Sequence, residues 1–251
     1  MSGHIERPLR DDEPFVGEPL AAGHGRSYSA SQMCGAKKRR ERILERIARA
    51  AGLARRDPAA IELIAVSKGR SVSEIEALID AGQRDFGENR VQEALSKWPP
   101  LLLNREGLRL HAIGRLQSNK AADAIELFDN IHSLDRRSLL DALVKAGEKA
   151  GRTPPVYIQV NIGEEEQKGG CSIPELGELV DAVRASTLPL AGLMAIPPIG
   201  HEPAPYFALL AKLARRHDVT GLSIGMSSDF EAAVMLGATA VRVGTAMFED
   251  E

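Results

Sequence analysis

Apolar residues Ile43, Leu44, Ile47, Ala48 and Ala51 recur at helical spacing amid lysine and arginine, which predicts an amphipathic helix from Ala36 to about Arg55. A short β-branched run, Ile61 to Ser67 (IELIAVS), then ends at Lys68 and Gly69. A helical pattern follows it, with Ser73 as the expected N-cap and Ala81 as its end. The alternation continues along the chain. Strands are predicted at Arg84–Phe86, Leu108–Ile113, Asn130–His132, Val156–Val160, Leu190–Met194, Gly221–Ile224 and Ala240–Val243. The helices between them are predicted at Val91–Trp98, Asn119–Leu127, Arg137–Ala150, Pro174–Ala185, Pro205–Arg216 and Asp229–Leu236. Strands that alternate with helices pair in parallel, and eight such units with short connections are what barrel closure requires. The expected fold is therefore α/β, a single (β/α)8 TIM-type barrel with an extra N-terminal helix that covers the barrel bottom or meets a partner. An open doubly wound sheet is the alternative, but no glycine fingerprint follows the first strand, which weakens its dinucleotide-binding version.

Composition narrows the function. A chain of 251 residues with 43% hydrophobic and 27% charged residues builds one large core. A net charge of -3 leaves no basic field of the kind a nucleic-acid binder needs. Cys34 and Cys171 lack the paired spacing of a zinc or redox site, so no metal and a reducing compartment are expected. No apolar run is long enough for a membrane span, and the start lacks a secretory pattern, so the expected location is cytoplasmic. Residues 1–32 mix Gly, Pro and Ser with Glu6, Asp11, Asp12, Glu13, Glu18 and arginines, which predicts a disordered tail ahead of a barrel domain at 33–251. Such acids fit a mitochondrial leader badly, and Met33 is a candidate native start.

In this fold the strand C-termini and the loops after them build the site. The residues expected there are Lys68; Gly87, Glu88 and Asn89; Gly114 to Lys120 (GRLQSNK); and His132 and Ser133. After the later strands come Asn161, Met194 to Pro197, Gly225 to Asp229 (GMSSD) and Arg242 to Thr245 (RVGT). Lys68 ends an apolar strand, where partial desolvation favours the neutral amine that attacks a carbonyl; a rim lysine snorkelling to water is the plain alternative. GMSSD and RVGT offer hydroxyls and exposed amides after strands seven and eight, the usual phosphate position in such barrels, although turn and cap chemistry also uses these residues. Arg242 lies between Val241 and Val243 and so points opposite to them, into the barrel. There it needs an acceptor, and a salt bridge to a carboxylate such as Glu231 is the structural alternative.

Taken together, AVSK at 65–68, DFGENRVQEA at 85–94, HAIGRLQSNK at 111–120, HSLD at 132–135, QVNI at 159–162, GLMAIP at 192–197, GMSSDFEAAV at 225–234 and VRVGTAMF at 241–248 resemble the pyridoxal phosphate homeostasis protein family, related in fold to the N-terminal barrel of alanine racemase. The resemblance spans about residues 36–248. It implies pyridoxal 5′-phosphate (PLP) as cofactor, held by Lys68 as a Schiff base, with Ser227, Gly244 and Thr245 on the phosphate and Arg242 facing the pyridine nitrogen. By position, Asn89, Asn161, Met194 and Ile196 line the ring pocket. Ala112 stands where relatives have an aromatic residue, and Gly169 stands where they have serine beside Lys168.

A guanidinium only donates, so the ring nitrogen opposite it stays unprotonated and the electron sink is weak. No second domain contributing a tyrosine base is expected beyond Val243, and Tyr28, Tyr157 and Tyr206 fall outside the strand-end motifs. The expected function is a PLP carrier in vitamin B6 homeostasis without strong catalysis. It is expected to be a monomer or weak dimer, with B6 vitamers and PLP-dependent apoenzymes as candidate partners and Lys120 as a candidate transfer residue. The competing readings are a weak amino-acid racemase, a Schiff-base aldolase without cofactor, and a scaffold that merely kept the fold.

Overall fold

The computed structural model describes residues 28–103 and 105–249. Most of the expected tail, residues 1–27, lies outside the described residues, but residues 28–32 depart from the expectation. Tyr28 is buried and its hydroxyl bonds Asp80, while Ser29 and Gln32 close a capping box that starts helix α1 (Ala30–Leu53). Two orphan donors are satisfied by that box, so the helix begins earlier than its apolar stripe.

Eight strands follow: β1 (Glu62–Val66), β2 (Asp85–Glu88), β3 (Arg109–Ala112), β4 (Asn130–Leu134), β5 (Val156–Gln159), β6 (Leu190–Met194), β7 (Gly221–Ser223) and β8 (Ala240–Val243). They pair in parallel in chain order, and β8 returns to β1 to close the barrel. The connecting helices are α2 (Val72–Asp80), α3 (Val91–Lys97), α4 (Pro99–Leu103), α5 (Ala121–Leu127), α6 (Arg137–Ala150), α7 (Leu176–Arg184), α8 (Ala204–Arg216) and α9 (Phe230–Met235), with a short α10 (Thr245–Phe248) after β8. Ser71, not Ser73, caps α2, because Glu74 stands three residues after Ser71 and completes a second capping box.

Strand parity sorts the side chains. Leu63, Ala65, Val241 and Val243 join the hydrophobic layer shared with the helices, while Ile64, Ile113 and Met194 are buried outside that layer, as lumen positions are. Gly87 faces Ile64 and Ile113 so closely that a Cβ there would sit 2.8 Å from Ile113 Cδ1. The lumen is packed, as in other barrels of this size.

Helix α1 neither caps the barrel bottom nor stands free for a partner. It packs against α2, α9 and α10. The unit after β8 supplies only the four residues of α10, too short to cover that strand, so α1 occupies the place of the missing eighth helix and completes the outer ring. Its buried stripe, Ala36, Ile43, Ile47, Ala50 and Ala51, faces the barrel, and Arg46 reaches Glu231 of α9 with a bidentate pair at 3.0–3.1 Å.

Candidate functional site

The site is assembled at the C-terminal mouth. Lys68 stands in the turn after β1 with an exposed side chain, so the desolvation expected from its apolar strand does not reach it. The strand ends two residues earlier, and Gly69, at φ 68, turns the chain outward. The backbone on both sides of Lys68 is nevertheless fixed. Lys97 Nζ donates to the Ser67 carbonyl (2.8 Å), Gly69 N–H donates to Glu93 (2.6 Å), and Ser67 Oγ donates to Glu88 (2.7 Å). Glu88 also accepts from Trp98 Nε1 (2.9 Å) and pairs with Lys97 at 2.7 Å. Glu88 therefore belongs to β2 and to a buried clamp under Lys68, a correction to its expected place in the rim loop. His132 and Ser133 likewise lie inside β4, which runs two residues beyond the predicted His132 end. The sequence pattern ended that strand where His132 and Ser133 stand side by side, but these are polar residues of a filled lumen and wall.

Arg242 points into the barrel as parity requires, and it is buried. Nη1 donates to the Ser223 carbonyl and to Ser223 Oγ, both at 2.6 Å, and Nη2 donates to the Ala195 carbonyl at 3.1 Å. Glu231 is engaged by Arg46 instead, so the salt-bridge alternative does not hold. Desolvation pulls the Arg242 guanidinium down to about 10, with Asp229 acting in the opposite direction, and the group stays cationic at neutral pH. Beside it, Ser227 Oγ accepts from Gly244 N–H (3.2 Å), which joins the ends of β7 and β8. Gly225 makes that approach feasible: it adopts φ +92, and a Cβ there would lie 2.6 Å from the Ala233 Cβ. The Asp229 carboxylate accepts from Met226 N–H (2.6 Å), and Ser228 is exposed on the same loop. Thr245 is exposed on the first turn of α10, and a Cβ added at Gly244 would lie 3.6 Å from Val66 Cβ, so this corner sits beside the end of β1.

The other expected residues divide. Met194 is buried at the end of β6 beside the Ala195 carbonyl that Arg242 uses, and Ile196 is half-buried. Asn89 is half-buried, and its carbonyl lies where a Gly114 side chain would go, at 2.2 Å from such a Cβ, so the β2 and β3 ends meet through backbone. Asn161 is drawn into its own loop: its amide donates to the Glu165 carbonyl (2.9 Å) and accepts from Glu165 N–H (3.1 Å). In that loop Lys168 pairs with Glu165 (2.6 Å) and donates to Pro197 (3.3 Å). Lys120 pairs with Asp123 at 3.5 Å at the start of α5.

Lower in the lumen lie residues that carried no expected role: Asp85, His111, Tyr157 and Ser223, with His132 among them. Glu62, Asp85 and His111 offer atoms within 4.8 Å of one another. Arg109 bonds both carboxylates, at 2.6 and 2.7 Å, so a guanidinium supplies the positive charge there. Their alternation with Ile113 and Ile64 along lumen-facing positions was the available signal.

An exposed amine, a buried donor-only guanidinium and a corner of hydroxyls and amides fit a phosphorylated carbonyl compound with a ring acceptor. Known proteins point the same way. Residues 40–251 match the family described as alanine racemase, N-terminal domain. The chain is 41% identical over 218 residues to the pyridoxal phosphate homeostasis protein of Escherichia coli (strain K12), covering 82% of this chain and 92% of that one. It is 40% identical over 221 residues to the protein of the same name from Aquifex aeolicus (strain VF5), covering 84% and 96%. The structure of PipY from Synechococcus elongatus PCC7942 with PLP bound has a TM-score of 0.70 at 39% identity, covering 82% of this chain and 99% of that chain. The alanine racemase of Bartonella henselae, at 16% identity and a TM-score of 0.65, shares the fold.

Proposed function

The chain belongs to the pyridoxal phosphate homeostasis protein family, and from that premise we propose that it binds PLP at the C-terminal mouth of the barrel and holds it in reserve, without strong catalysis of its own. The observation that carries the reading is the convergence on one mouth of Lys68, Arg242 and the Ser227–Gly244 corner. When bound, PLP supplies an aldehyde that amines attack reversibly. Lys68 is the amine of this chain that would hold the aldehyde end of the cofactor covalently. Its exposure suits exchange with incoming amines, and the clamp beneath it fixes the backbone and leaves the side chain free. Ser227, Gly244 and Thr245 hold the phosphate by hydroxyl and amide hydrogen bonds, and Arg242 meets the ring nitrogen. Met194 and Ile196 border the ring; Asn89 and Asn161 shape the pocket through their loops.

Weak catalysis follows from the donor set. Arg242 has no proton acceptor and remains charged, so it keeps the ring nitrogen unprotonated. The tyrosines are engaged elsewhere: Tyr28 with Asp80, Tyr157 stacked on His132 at 4.2 Å, and Tyr206 edge-on to His201. Among the described residues no helix is long and apolar enough to cross a membrane; the cytoplasm is the location proposed for the carrier.

The test is an absorption spectrum of purified protein before and after borohydride reduction, with peptide mapping of the label. A yellow protein labelled on Lys68 is expected. A colourless protein that takes up no added PLP overturns the cofactor reading, and racemisation at the rate of ordinary enzymes overturns the carrier role.

A further inference from the structure

A continuous line of hydrogen bonds crosses the lumen from one mouth of the barrel to the other. At its upper end Arg242 Nη1 donates to Ser223 Oγ. Ser223 Oγ lies 2.9 Å from His132 Nδ1, His132 Nε2 lies 3.0 Å from His111 Nδ1, and His111 Nε2 lies 3.2 Å from Asp85 Oδ1. Ser223 and both rings are completely buried. Tyr157 stacks on His132, and Glu62 and Arg109 surround the Asp85 end beside a cavity of about 560 Å³ at the N-terminal mouth.

Donor counting fixes the direction of this line. The guanidinium can only donate, so Ser223 Oγ accepts from it and its own hydrogen goes to His132 Nδ1. His132 is held neutral, pushed well below 6.5 by desolvation, with the Arg242 charge acting in the same direction. Its single proton is then on Nε2 and points at His111 Nδ1. His111 in turn directs Nε2–H at Asp85. Burial raises the Asp85 carboxyl, but hydrogen bonds from His111 and Arg109 outweigh this and hold it below its ordinary value, so it is an ionised acceptor. The reverse direction sets a ring lone pair against that carboxylate and, among the described hydrogen bonds, leaves the Ser223 proton without an acceptor.

We propose that Asp85, His111, His132 and Ser223 are positioning residues for the cofactor ring: a one-way hydrogen-bond relay that orients the Arg242 guanidinium and ties it to the Asp85 carboxylate at the opposite mouth. The proposal rests on the reading that Arg242 meets the PLP ring nitrogen. It also explains how a buried guanidinium persists with no ion pair to a carboxylate among the described residues, because each link is polarised toward the anionic end.

Two measurements test it. Long-range nitrogen–proton NMR on cofactor-free wild-type protein is expected to show both rings as the Nε2–H tautomer; an Nδ1–H tautomer at His132 overturns the relay. PLP titration of Asp85→Asn, a residue four hydrogen bonds away from Arg242, is expected to give a Kd raised about fivefold to tenfold, with borohydride still labelling Lys68; an unchanged Kd overturns it too. Ser223→Ala gives the same reading if Asp85→Asn fails to fold. A wild-type protein that takes up no PLP defeats the cofactor reading instead and leaves the tautomer result standing.

Discussion

The two ends of the lumen carry similar side chains and use them in opposite ways. At the N-terminal end Glu62, Asp85, Arg109, His111 and His132 are interlocked, each bonded to a neighbour within the barrel. At the C-terminal end Lys68 and Thr245 are exposed, and the order there comes from outside the site, through Glu88, Lys97 and Glu93 beneath the turn. Reactive residue types alone therefore do not mark the site. What distinguishes it is free side chains on a backbone fixed by others, whereas the lower cluster spends its donors and acceptors on one another, as buried polar groups must.

Breaking the outer clamp has the largest expected effect on stability. Lys97→Ala leaves Glu88 buried beside Ser67 and Trp98 without its cation, and a loss of about 3–5 kcal/mol in urea unfolding is expected; a loss below about 1 kcal/mol would mean the clamp is not structural. The lower cluster is probed by pH. His132 has a folded-state pKa depressed below 6.5 by burial, so the unfolded chain takes up its proton first as pH falls. Stability is then full above pH 6.5 and declines below it, by as much as about 1.4 kcal/mol per pH unit. Unfolding measured at pH 7 and pH 5 in wild type and His132→Asn checks this: the variant is expected to be less stable at pH 7 and to have the flatter profile. At the edge of the rim, Ser71→Ala removes the α2 cap and is expected to cost about 1 kcal/mol. Lys68→Ala has the smallest expected effect on stability, within about 0.5 kcal/mol, because the side chain is exposed. The same variant should lose all borohydride-trapped cofactor, and a large fall in Tm would instead place Lys68 in the folding core.

Much of this was legible along the chain. The strand–helix alternation predicted eight parallel strands, and the position of Arg242 between two valines predicted its inward direction. Where the reading went astray, longer-range packing was responsible. The helix at 36–55 read as a cover for the barrel bottom because its amphipathic stripe shows that it packs but not where; the shortness of α10 after β8 decided that. His132 and Glu88 read as rim residues because polar character normally ends a strand pattern, and only the filled lumen and the Lys97–Trp98 clamp show why each is tolerated in a strand. Asn161 was expected in the pocket by position, and the structure adds that its amide bonds within its own loop.

By itself the sequence determined the periodicities, and hence the barrel, the outward and inward faces of each strand, and the identity of the chemical groups at the strand ends. The tertiary structure alone decided which of those groups are satisfied and which are free, because hydrogen-bond partnership depends on registers between strands far apart in the chain. His132 meets Ser223 across 91 positions of sequence, and no local pattern encodes that contact.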